Sequence, residues 1–111
     1  MTDKELIEMA AKAAGRDVIW KRGMHRSEPH EGLFDRGTGC VTSWNPLTDD
    51  GDALRLAVKL ELDILFYRKH VDVCDNTKTQ NVAAEEFTSG RDLAVRRAIV
   101  RAAAEIGRAM P

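Results

Sequence analysis

The chain has 111 residues, of which 43% are hydrophobic and 32% charged, a balance too apolar for a disordered segment and sufficient for one core. A formal net charge of −1 supplies no global field toward nucleic acid or membrane, which leaves only a local basic patch to consider. Only six residues are aromatic, and no apolar run approaches the ~20 residues of a membrane-spanning helix.

Thr2 followed by Glu5 is a capping box, and Leu6, Met9, Ala10 and Ala13 recur at helical spacing before Gly15. This predicts a helix over 3–14. Residues 17–21 read as a short strand. Between 22 and 43, Gly23, Pro29, Gly32, Gly37 and Gly39 break any helical period. That stretch is either a hairpin, with strands around 33–34 and 40–44 joined across 36–39, or an irregular surface loop.

Asp49 or Asp50 caps a second helix over 50–61, and the acids of 49–52 lie at the positive end of its dipole. Leu54, Ala57, Val58 and Glu61 mark one face of it, and Ala53, Leu56 and Leu60 widen the apolar stripe. Residues 62–67 and 71–74 read as strands joined by 68–70, and 81–87 adds another. Thr88 or Ser89 then caps a final helix from about 90 to 107, with Val95, Ala98, Ile99, Ala102, Ala103 and Ile106 inward. The order predicts a single α+β domain over 1–111. It has about three helices and three to five strands, in a small, mainly antiparallel sheet packed between helices.

Two segments carry a family resemblance. W-N-P-L-T-D-D-G-D-A-L-R-L at 44–56 and R-R-A-I-V-R-A-A-A-E-I-G at 96–107, with the opening helix, resemble the phage ABA sandwich domain family. These are small uncharacterised proteins of tailed phages and prophages. The resemblance implies a three-layer sandwich of sheet between helices and a bacterial-virus origin. It implies no reaction and no catalytic residues, and residues 21–43 have no counterpart in it.

No nucleophile elbow, phosphate-binding loop or dinucleotide glycine pattern is present, so no catalytic residue is assigned and the chain is expected not to be an enzyme. Asp49, Asp50 and Asp52 invite a divalent cation, but capping and dipole compensation account for them without metal, and a calcium loop's remaining ligands are missing. His25, His30, His70, Cys40 and Cys74 match no zinc spacing, and the expectation is two solvent histidines in a loop and two buried thiols. His70 and Cys74 lie about 13 Å apart along an extended strand, too far for a nucleophile pair. No cofactor is expected.

In the last helix, Arg91, Arg96, Arg97, Arg101 and Arg108 face only Asp92 and Glu105. Arg97, Arg101 and Arg108 fall on one stripe, a candidate contact for phosphates or an acidic protein surface. The competing reading is a solvated face paired with acids such as Glu85 and Glu86. Trp20, His25, His30, Phe34 and Arg36 are further candidate contacts around the irregular stretch. Trp44, Asn45 and Pro46 are read as a structural motif with Trp44 in the core.

The expectation is therefore a small phage or prophage accessory protein that binds a host or phage macromolecule. The alternative is nucleic-acid binding through the basic helix face. A protein partner, no membrane, a cytoplasmic location in a bacterial host and free thiols complete the reading. It rests on an opening that lacks a secretory leader's apolar run. Strand edges and alanine-rich helices leave room for a homo-oligomer.

Overall fold

Local capping sets the first two helices where their sequences place them. The computed structural model describes residues 1–22, 31–75 and 81–111. In it the Thr2 hydroxyl accepts the Glu5 amide at the start of α1 (Asp3–Ala13). Asp49 accepts the Asp52 amide at 2.8 Å at the start of α2 (Asp50–Lys59). Each cap satisfies an otherwise orphaned backbone donor, a contribution of about 1 kcal/mol.

The third helix, α3 (Arg91–Ala109), starts differently. Neither Thr88 nor Ser89 caps it. Phe87–Ser89 form one 3-10 turn, and Gly90 takes the N-cap position at φ +111° with no side-chain hydrogen bond. Only glycine enters that backbone region without strain, so the demand of the turn overrides the capping preference of the hydroxyl residues.

Six strands are described, in two antiparallel sheets of three. The first holds β1 (Val18–Arg22), β2 (Glu31–Asp35) and β3 (Cys40–Thr42) in that order. The second holds β4 (Leu62–Phe66), β5 (His70–Asp75) and β6 (Asn81–Glu86). The α+β class and the antiparallel pairing follow the sequence pattern. The division of the strands between two sheets is a long-range property that the pattern does not carry. The hairpin alternative holds for 31–42, while residues 23–30, with His25 and His30, lie outside the described residues.

The helices α1 and α3 pack along each other, α1 touches β1, and α3 lies on β5 and β6. The helix pair thus joins the two sheets. Its seam is made of small residues, with Ala10, Ala11, Ala98, Ala102 and Ala103 fully buried. Small side chains let backbones approach closely and hold the core together by dense contact. Because α3 packs on two sides, Ala94, Val100, Ala104 and Gly107 are buried in addition to the expected face, while Val95 and Ile106 are half-buried.

Against α3, helix α2 buries Ala53, Leu56 and Ala57. Leu54 and Val58, expected on its inward face, are 59% and 69% exposed. The covered stripe is narrow, meeting α3 and the start of the second sheet at β4.

In the second sheet, Ile64, Val73 and Ala83 form one cross-strand row, and Phe66, Val71 and Glu85 the next. Directly opposed residues share a face. Val71 and Val73, fully buried, mark that face as the one against α3. Glu85 therefore points toward the helix. Of the two thiols expected to be buried, Cys74 is buried on β5 but Cys40, on the edge strand β3, is exposed.

Candidate functional site

The aspartates of 49–52 are consumed by local structure. Asp49 holds the Asp52 amide, and Asp52 Oδ2 accepts the Asn45 amide at 2.9 Å while its Oδ1 accepts Arg55 Nη2 at 2.8 Å. Asn45 Oδ1 accepts the Leu47 amide at 3.0 Å, an Asx turn that orients the chain for the helix. Asp50 Oδ1 accepts Arg96 Nη1 at 2.6 Å, and Arg96 Nε donates to the Leu47 carbonyl at 2.9 Å. Arg96, read from sequence only as part of a basic excess, is the residue that ties α3 to the turn before α2. With Pro46 fully buried and Trp44 at 7% exposure, the motif 44–56 is a structural knot. No group of three or more metal-binding side chains converges among the described residues.

The arginine stripe of α3 is likewise occupied. Arg97 donates to Asp3 at 3.1 Å and lies 3.3 Å from Glu85. Arg101 donates to Glu85 at 2.9 Å and to the Ala84 carbonyl at 2.9 Å. Arg108 faces Glu105 at 3.5 Å. Glu85 was one of the two acids the sequence offered as partners. Trp20 is fixed by its indole N–H, which donates to the Lys4 carbonyl at 3.2 Å, with the Lys4 ammonium over its ring. Phe34 is half-buried in β2, paired across the sheet with Ile19 and Val41. His70 stacks on Tyr67 and lies 3.4 Å from Asp72, which stands between it and Cys74 on β5.

A different group of residues converges on an open cleft of about 480 Å³, a volume within the usual range of ligand sites. Trp44 forms part of its wall, the link between α1 and β1 contributes Arg16 and Asp17, the end of β2 Asp35, and α2 Arg55 and Lys59. The acids have partners: Asp17 accepts Arg36 Nε at 2.8 Å, and Asp35 accepts the Gly37 amide at 2.8 Å. Arg55 is held by Asp52. Arg16 stacks its guanidinium 4.9 Å from the centre of the Trp44 ring. Among the described residues, neither Arg16 nor Lys59 has an ion-pair partner.

Beside an indole, this cleft therefore presents two cations with no ion-pair partner among the described residues, with a third cation held close by. Burial raises the pKa of Asp52. The Asn45 amide, the Arg55 guanidinium and the charge of Arg16 more than offset it, so the carboxyl sits below its ordinary value. Of the residues singled out from sequence, the cleft gathers Trp44, with Arg36 at its margin through Asp17. It does not gather Trp20, Phe34, Arg97, Arg101 or Arg108. Arg16 and Lys59 carried no sequence signal, because their relation to Trp44 is made only by packing of α1, α2 and the hairpin. Compared with protein-family models, curated proteins and solved structures, the chain matches none.

Proposed function

We propose that the chain is a non-enzymatic binding protein that captures an acidic segment of a partner protein at the Trp44 cleft. The observation that carries this reading is the pair of cations, Arg16 and Lys59, without an ion-pair partner among the described residues and beside a largely buried indole. A carboxylate entering there gains two cations without displacing an internal acid, and charge-assisted contacts are the stronger kind. The arginine stripe of α3 favours a nucleic-acid reading less, since Arg97, Arg101 and Arg108 each already have an acid of the chain beside them. The resemblance of 44–56 and 96–107 to the phage ABA sandwich domains supports a phage or prophage accessory role in the bacterial cytoplasm.

The test uses a glutamate-rich peptide titrated into the full chain, followed by tryptophan fluorescence at low and moderate salt. Saturable quenching is expected, weakening as salt rises and lost in the Arg16→Glu, Lys59→Glu double variant. Equal binding by that variant would remove the cleft from the reading. Parallel titration with single-stranded DNA separates the alternatives: tighter binding of the DNA, insensitive to the cleft variant, would return the reading to α3.

A further inference from the structure

We infer that the free edge of β4 is a self-association surface, on which a second copy of this chain adds its own β4 in antiparallel register to make one six-stranded sheet. The second sheet runs β4-β5-β6, so one side of β4 presents backbone donors and acceptors that no strand among the described residues meets. Proteins normally protect such an edge with lysine, proline, a bulge or a covering element. The strand Leu62–Phe66 has no lysine or proline within it, and its pairing to β5 is regular. Its outer end is apolar and open, with Leu65 44%, Phe66 66% and Tyr67 49% exposed.

Charge identifies the occupant. Acids stand at the start of the strand, at Glu61 and Asp63, and bases at its end, at Arg68 and Lys69. All four are exposed, and among the described residues none is in an ion pair within the chain. A strand with acid at one end and base at the other complements itself when two copies run antiparallel. A two-fold axis perpendicular to the sheet at Ile64 sets Leu62 across from Phe66 of the second copy and Asp63 across from Leu65. Glu61 then lies across from Tyr67 and beside Arg68 of the second copy. The axis keeps equivalent faces on the same side, so the apolar rows of the two sheets continue into each other.

The backbone at Glu61 is consistent with a demand for charge at this place. It has φ +54°, just after the last turn of α2, where glycine is the usual residue. A glutamate there carries a conformational cost and places a carboxylate at the start of the exposed edge.

The experiment compares three preparations of the full chain by analytical ultracentrifugation. They are wild type, Glu61→Lys with Asp63→Lys, and Arg68→Glu with Lys69→Glu. The expectation is a concentration-dependent dimer for wild type and at least a tenfold weaker association for each variant alone. A one-to-one mixture of the two variants, one basic and one acidic at both ends, is expected to regain the dimer. Circular dichroism and thermal melts of each variant verify that the exposed substitutions leave the fold intact. A wild-type monomer at several hundred micromolar overturns the inference. So does a dimer that both variants keep, or a mixture that stays monomeric. Lys59 of the Trp44 cleft stands two residues before Glu61, so both variants are also titrated with the glutamate-rich peptide, and unchanged peptide binding separates loss of the dimer from loss of the cleft.

Discussion

The position of Gly107 is set by the backbone of Met9: a Cβ on Gly107 would collide with the Met9 carbonyl. The neighbour is main chain, so it cannot rotate away as a side chain would. Close approach of α1 and α3 therefore requires glycine here. Gly107→Ala is expected to force the helices apart and to lower stability by about 1–3 kcal/mol, the range for overpacking, despite alanine's better helix propensity. Gly51→Ala is the control. There a Cβ meets the flexible end of Arg55 and the Asp49 carboxylate at 3.1–3.2 Å, and a much smaller change is expected. Urea unfolding of both variants checks this; equal effects would show that the Gly107 contact is not limiting.

Gly90 tests a purely conformational constraint. A Cβ there would meet nothing within 4 Å, yet φ is +111°. Gly90→Ala is expected to cost about 1–3 kcal/mol from backbone strain alone. Because the turn feeds α3, the loss should appear as a lower urea midpoint with an unchanged slope. A neutral substitution would mean that the chain can start α3 in another conformation.

Features governed by neighbours in sequence were legible, and those governed by distant packing were not. Thr2 and Asp49 announce helix starts because a cap is a contact across three residues. The start of α3 was misread because hydroxyl residues at 88 and 89 looked like caps, while the deciding quantity was the dihedral at Gly90. The apolar stripe of α2 was drawn too wide, since periodicity cannot tell which apolar residues meet a neighbour. Leu54 and Val58 are left mostly exposed. The cleft was invisible for the same reason: Arg16, Trp44 and Lys59 come from different elements and share no motif. The capping role of Asp49 was legible because it is a local contact, whereas the Asp50–Arg96 pair, which spans 46 residues, was not.

Asp52 gives a pH-dependent prediction. Its carboxyl lies below its ordinary value of 3.8 in the folded chain. A depressed folded-state pKa contributes stability that is complete above the unfolded value and is lost as pH falls through the folded one. The contribution is thus whole at pH 7 and fades only in acid, below 3.8. Asp52→Asn keeps an oxygen for the Asn45 amide but gives up the charge that meets Arg55. It should cost about 1–2 kcal/mol at neutral pH, on the scale of a hydrogen bond to a charged group. The gap between wild type and variant should narrow as unfolding is measured at progressively lower pH. A constant gap would show that the charge on Asp52 is not what the site uses.

Glu85 holds two arginines of α3 onto β6, Arg97 at 3.3 Å and Arg101 at 2.9 Å. Glu85→Gln should lower stability by about 1 kcal/mol, since the arginines are partly exposed and solvent screening limits the pairs. The same change removes the carboxylate the two guanidiniums share and, among the described residues, leaves Arg97 only Asp3 and Arg101 only the Ala84 carbonyl, so the variant should elute from a heparin column at higher salt than wild type. If both elute together, the α3 arginines are not restrained by Glu85, and the occupied-stripe account is wrong.

The two cysteines report on the two sheets separately. Cys40 is exposed on β3, and Cys74 is buried in the central strand of the second sheet. A disulfide reagent in native buffer should therefore label one thiol quickly and the other only as the second sheet opens. Cys40→Ser should remove the fast phase and leave the slow one. Cys74 lies directly across from Asp63 on β4. If a second copy covers the outer edge of β4, opening of that strand becomes linked to dissociation, and binding stabilises the closed form by mass action. The slow phase should then lengthen with protein concentration while the fast phase does not. Concentration-independent labelling of both thiols would contradict protection of β4 by self-association and leave the assignment of the two thiols untouched.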